Sequence, residues 1–107
     1  MLFRSLTLPN GLRAIGLTTT PASTVNIAIR NIVTPSPDLV VSGINRGYNL
    51  GLTNYVSGTV GAAREAAMHG IPAIAASLAF KAAGDVASFA GAAEATVRVA
   101  QIGRAHV

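Results

Sequence analysis

The run Pro37–Phe80, PDLVVSGINRGYNLGLTNYVSGTVGAAREAAMHGIPAIAASLAF, constrains the fold more tightly than any other part of this 107-residue chain. Leu39, Val40 and Val41 make a short apolar run behind the break Pro35-Ser36-Pro37. It is continuous rather than alternating, the pattern of a strand covered on both faces, and parallel sheets are built from such strands. A loop carrying Gly43, Gly47, Gly51 and Gly58 follows. Glycines at that density permit positive φ and let main-chain N–H groups come close to a ligand. Loops at the carboxyl ends of parallel strands are where ligands bind. Ser57-Gly58-Thr59 then opens the helix-forming run Val60 to Met68, and a second strand is expected between that helix and Phe80. Small residues and unpaired N–H groups at the positive end of a helix suit a phosphate.

The flanks read as supporting elements. Leu6 to Leu8 and Leu12 to Leu17 are separated by Pro9-Asn10-Gly11, a turn signal that predicts a hairpin or two edge strands. Thr20 is a good N-cap with Pro21 at the first helical position, and Val25, Ala28, Ile29, Ile32 and Val33 fall on one stripe. That helix is expected to cover one face of the sheet. A second covering helix is predicted from Asp85, as N-cap, to about Ala100, with Val86, Phe89, Ala90, Ala93, Val97 and Ala100 at helical spacing.

Composition bounds the function. Half of the residues are hydrophobic and only 11% are charged, against roughly 25% in an ordinary soluble domain, so the chain reads as the interior of something larger. Its size supports one domain, burying about 60 to 70% of its unfolded surface. The longest nearly apolar run, Ile71 to Phe80, is short of the ~20 residues a transmembrane helix needs, so no membrane partner is expected. The net charge of +4 comes from scattered basic residues, which argues against a nucleic-acid partner. No cysteine is present, which removes disulfides and thiolate metal sites. With no apolar signal run after Met1-Leu2-Phe3-Arg4, the expected location is cytoplasmic.

With these features in view, Ser42-Gly43-Ile44-Asn45-Arg46-Gly47, then Asn49 and Gly51, then Tyr55-Val56-Ser57-Gly58-Thr59-Val60-Gly61-Ala62-Ala63 together resemble the core of the SurE family of survival-protein nucleotidases. Upstream, Thr20-Pro21-Ala22 resembles the family's Gly-Thr-Pro-Ala-Asp turn and Ser5-Leu6-Thr7-Leu8 its Ser-Leu-Thr strand; downstream, Gly70 to Ala75 resembles its next strand. The match runs from about Ser5 to Phe80. It implies a Rossmann-like α/β fold, a three-layer parallel sheet with helices on both faces. It also implies a metal-dependent phosphomonoesterase acting on nucleoside 5'- and 3'-monophosphates, with a divalent metal, Mg or Mn, as cofactor. The complete protein is expected to be a homo-oligomer.

Family members hold the metal with two adjacent aspartates, a serine, and the asparagine of Ser-Gly-Ile-Asn. Only the asparagine carries over, onto Asn45. Gly43, Asn49, Ser57, Gly58 and Thr59 stand where the resemblance puts phosphate and substrate contacts. The chain departs from the pattern in lacking the Asp-Asp-Gly turn and in having Thr19 and Ser23 where the family has glycine and aspartate. Asp38, Glu65, Asp85 and Glu94 are its four acids and none adjoins another, whereas a Mg²⁺ or Mn²⁺ site normally uses one or two carboxylates. The catalytic set is therefore expected to be incomplete and this chain inactive by itself. Residues 1–101 are read as a partial domain. Residues 102–107, Ile-Gly-Arg-Ala-His-Val, match the translation of a common short-read sequencing adapter and are read as a non-native tail, with a basic last helical turn as the other reading.

Simpler roles stand beside these. Asn45 fits the stabilisation of an irregular loop, Gly43, Gly47 and Gly51 fit a tight strand-to-loop transition, and Ser57 and Thr59 fit plain capping. Tyr48 and Tyr55 fit base stacking or ordinary, partly buried loop packing. His69 suits the negative end of the helix before Gly70. A non-catalytic phosphate- or nucleotide-binding module would use the same loop and helix terminus without metal.

Overall fold

The computed structural model describes residues 3–79 and 89–105. β1 (Phe3–Thr7) and β2 (Arg13–Leu17) form the antiparallel hairpin that Pro9-Asn10-Gly11 predicts. Its turn closes by hydrogen bonds from Leu8 N–H to the Leu12 carbonyl (2.7 Å) and from Gly11 N–H to the Leu8 carbonyl (2.9 Å). The Asn10 side-chain oxygen accepts from Leu12 N–H at 3.1 Å. β1 starts at Phe3, earlier than the pattern predicted, because Phe3 pairs with Leu17 and carries the ladder on.

α1 (Pro21–Ile27) begins where the sequence places it, with Thr20 Oγ1 accepting from Ser23 N–H at 3.2 Å. It runs on into a wider π-helical turn over Ala28–Ile32, closed by Val33 N–H on the Ala28 carbonyl at 2.8 Å. Pro35 two residues later stops the helix, since the residue before a proline disfavours helical φ and ψ.

The centre is the unit β3 (Val40–Arg46), α3 (Gly58–Met68) and β4 (Ala73–Leu78), with β3 and β4 paired in parallel. Between them lies a short helical turn, α2 (Thr53–Val56), which the glycine-rich pattern did not predict. Its start is set by Thr53, whose hydroxyl donates to the Leu50 carbonyl and accepts from Leu50 N–H. α3 stops at its carboxyl end by a double closure, Gly70 N–H on the Ala67 carbonyl (2.9 Å) and Ile71 N–H on the Ala66 carbonyl (3.1 Å). That closure delays β4 to Ala73, three residues beyond the strand start expected at Gly70.

α3 and α4 (Phe89–Ala105) both pack on the β3–β4 pair, as expected of a Rossmann-like α/β fold. The expectation that the first helix covers the sheet is corrected: α1 packs on the outer side of α3. That face of the pair is already taken by α3, and the buried methyls of Ala62 (5% exposed) and Ala66 (0%) sit where small side chains let neighbouring backbones approach closely. The predicted N-cap Asp85 and Val86 lie outside the described residues, and α4 continues past Ala100 to Ala105. Among the described residues the only other buried hydrophobic is Ile71, while Leu12, Leu52, Tyr55 and Met68 are among many large apolar side chains left exposed. No described helix is long and apolar enough to cross a membrane.

Candidate phosphate site

In a strand–helix–strand unit with parallel strands, the helix runs back against them, so its amino end lies at their carboxyl ends. The chain therefore brings the end of β3, the loop after it, the start of α3 and the end of β4 to one edge of the sheet.

Gly43 lies inside β3 and not in the loop, which corrects the boundary read at Val41. The pairing steps from Ser42↔Ala75 to Asn45↔Ser77, so two residues, Gly43 and Ile44, face one on β4. Gly43 has φ +122°, and a Cβ there would press into the Ala76 carbonyl. The Gly43–Ile44 peptide is cis. Close passage of the neighbouring strand is thus a sufficient reason for glycine, and the bulge swings the following residues towards the ligand edge.

Asn45 comes next, half-buried near the carboxyl end of β3. Its Nδ2 donates to the Gly47 carbonyl at 3.1 Å, which fixes the amide plane and leaves Oδ1 as an acceptor. The Gly47 N–H donates in turn to the Leu78 carbonyl at 2.8 Å, extending the ladder beyond the strand. Asn49 Nδ2 donates to Ser77 Oγ and ties the loop to the end of β4. Ser77 was not anticipated; as a polar residue inside an apolar strand it was the available signal.

Ser57 caps α3, its Oγ accepting from Val60 N–H at 3.2 Å, and its carbonyl accepts from Gly61 N–H at 2.9 Å. The cap uses the third N–H of the helix, and the geometry of a first turn leaves those of Gly58 and Thr59 without helical acceptors. An eleven-residue helix supplies a positive end behind them. Gly58 is also required by packing: a Cβ would lie 2.9 Å from Pro21 Cγ, so the start of α1 abuts the first turn of α3. Tyr48 and Tyr55 are 63% and 76% exposed, so the expected partial burial does not occur. Arg64 reaches back to the Asn54 carbonyl at 3.3 Å, and Asn54 Oδ1 is buried without a partner.

Among the described residues here, Asn45 is the one that the sequence resemblance offers to a divalent metal. Among the described residues no three His, Cys, Asp or Glu side chains gather. The donor set does not make a metal site by itself.

A second polar cluster sits on the seam of α1 and α3. Asn26 Nδ2 donates to Glu65 Oε1 at 2.8 Å and lies 3.2 Å from His69 Nε2, which is itself 3.2 Å from Glu65 Oε1. The hydrogen bond from Asn26, then that from His69, hold the Glu65 carboxyl below its ordinary value, against some opposition from desolvation. His69 therefore meets side chains as well as the helix end. Glu65 and His69, four apart, were legible as neighbours; Asn26 was not.

The SurE profile, "Survival protein SurE", matches residues 3–106. The chain belongs to the SurE survival-protein family. It is 51% identical over 81 residues to "5'-nucleotidase SurE" of Geotalea daltonii, covering 76% of this chain and 32% of that protein. It is 50% identical over 68 residues to the protein of the same name from Solidesulfovibrio magneticus, covering 64% and 27%. Among solved structures it is similar to the SurE protein from Aquifex aeolicus, with TM-score 0.73 and 34% identity over 94% of this chain and 40% of that one. The chain thus spans about a quarter to a third of the length of the curated relatives it matches.

Proposed function

We propose that this segment is the phosphate-binding part of a metal-dependent phosphomonoesterase that hydrolyses nucleoside 5'- and 3'-monophosphates. The observation that carries the reading is the amino end of α3, where Ser57 caps Val60 and leaves the first N–H groups for an anion. Those of Gly58 and Thr59 would hold phosphoryl oxygens and stabilise the charge that builds on them during attack. Asn45, with its Nδ2 held by Gly47, would offer Oδ1 to a Mg²⁺ or Mn²⁺ ion. In the full-length protein that ion would supply charge neutralisation and an activated water, held mainly by aspartates that this chain does not carry. The names of the relatives, 5'-nucleotidase SurE, support the substrate class. Cytoplasmic location and homo-oligomerisation belong to the same proposal.

The test is phosphate release from nucleoside monophosphates, with and without Mn²⁺, by a full-length protein carrying this segment, by its Asn45→Ala variant, and by the 107-residue chain. Metal-dependent turnover in the first, a loss of roughly a hundredfold or more in the second, as expected for a residue that positions the metal, and none in the third is the expected pattern. Unchanged activity in Asn45→Ala, or nucleotide binding that survives a chelator without any turnover, would overturn it in favour of a binding module.

A further inference from the structure

We propose that Glu65, His69 and Asn26 form a facial site for a divalent transition-metal ion of the zinc or cobalt class, on the seam between α1 and α3. Asn26 Nδ2, Glu65 Oε1 and His69 Nε2 make a hydrogen-bonded triangle with edges of 2.8, 3.2 and 3.2 Å. Bonds of about 2.1 Å place neighbouring ligands about 3.0 Å apart at right angles and about 3.4 Å apart at the tetrahedral angle. The triangle therefore has the dimensions of an octahedral face and is tighter than a tetrahedral one.

The helix sets two of the corners. Glu65 and His69 are one turn apart on α3, the spacing at which paired side chains on one helix face close on a common metal. α1 supplies the third. Turning the Asn26 amide over presents Oδ1 at the corner now held by Nδ2, and giving up the hydrogen bond from His69 Nε2 to Glu65 frees the Nε2 lone pair for the ion. The remaining positions of the ion open to water, since the Glu65 and His69 side chains keep 21% of their surface exposed and Thr19, Ser23 and Asn26 line a surface pocket beside Glu65.

One imidazole nitrogen with a carboxylate and an amide oxygen favours zinc, cobalt or nickel over magnesium. Arg30 also acts on Glu65, and its positive charge holds the affinity to a modest level. The site is separate from the first turn of α3: Glu65 is seven residues from Gly58 along the helix, about 10 Å at the helical rise.

The experiment is a titration of the tag-free 107-residue chain with Co²⁺, read by visible d–d absorption. His106 is replaced by alanine in every sample and helicity is followed by circular dichroism. A saturable band is expected that Zn²⁺ displaces, that Glu65→Gln and His69→Ala lose, and that Glu94→Gln, at an exposed acid paired with Arg98, keeps. His69→Gln can preserve the hydrogen bond to Glu65 without offering an imidazole, so a folded His69→Gln chain that binds Co²⁺ as before overturns the proposal. Absence of a saturable band overturns it too and leaves the three residues as a hydrogen-bonded clasp only. The readout is independent of nucleotidase activity, so the two proposals fail separately.

Discussion

Asn49 and Ser77, twenty-eight residues apart, are joined by a hydrogen bond from the Asn49 amide to the Ser77 hydroxyl, across the carboxyl ends of the two parallel strands. The bond lies at the rim, so its net contribution is that of an ordinary partly solvated one. Asn49→Ala and Ser77→Ala should each lower stability by roughly 0.5–1.5 kcal/mol. Because both remove the same bond, the double variant should be little worse than either single one. Urea denaturation of the three variants measures this, and additive losses would show that the two side chains act independently.

Gly43 and Gly61 should respond in opposite directions to alanine. At Gly43 the added methyl meets the Ala76 carbonyl with φ at +122°, and a loss of roughly 2–4 kcal/mol is expected. Gly61 is inside α3 and a Cβ there has nothing within 4 Å, so Gly61→Ala should gain about 0.5–1 kcal/mol from helix propensity. Thermal unfolding of both variants decides the matter.

Acid should loosen the α1–α3 seam. Glu65 has its folded pKa lowered from an ordinary 4.5, first by Asn26 and next by His69. A group depressed on folding contributes stability that is complete above its unfolded value and is lost as pH falls through the folded one. The loss should therefore begin near pH 4.5 and continue below it. Glu65→Gln should flatten that limb of the stability curve; an unchanged acid limb would place the dependence elsewhere.

Removing the α3 cap should cost more in stability than in anion binding. Ser57→Ala leaves Val60 N–H without its side-chain acceptor, worth about 1 kcal/mol. The N–H groups of Gly58 and Thr59 are backbone and persist. Phosphate affinity, measured by thermal protection, should fall less than about threefold, under roughly 0.7 kcal/mol.

How much of this was legible follows from the range of each signal. Thr20-Pro21, Pro9-Asn10-Gly11 and Ser57-Gly58-Thr59 are local codes, read within one turn of chain, and the structure builds the cap, hairpin and helix start they imply. The apolar run ends at Val41, and Ser42-Gly43 resembles a loop; only the partner strand reveals that the ladder resumes at Asn45. α1 was assigned to the sheet because a stripe of apolar residues says that a helix is covered and not by what. Its partnership with α3 runs through Pro21 against Gly58 and Asn26 on Glu65, contacts that show only once both helices are placed. The contact of Asn26 with Glu65 spans thirty-nine residues and left no periodic trace.

The large apolar side chains standing in solvent, Leu52 at 84% and Val56 at 86% among them, also make this molecule a poorly protected colloid. Mutual repulsion from a formal charge of +4 is what opposes contact between copies, and its reach shrinks to about 10 Å at 0.1 M salt and about 3 Å at 1 M. Added salt should therefore drive copies of the chain together and bring it out of solution, the reverse of salting-in.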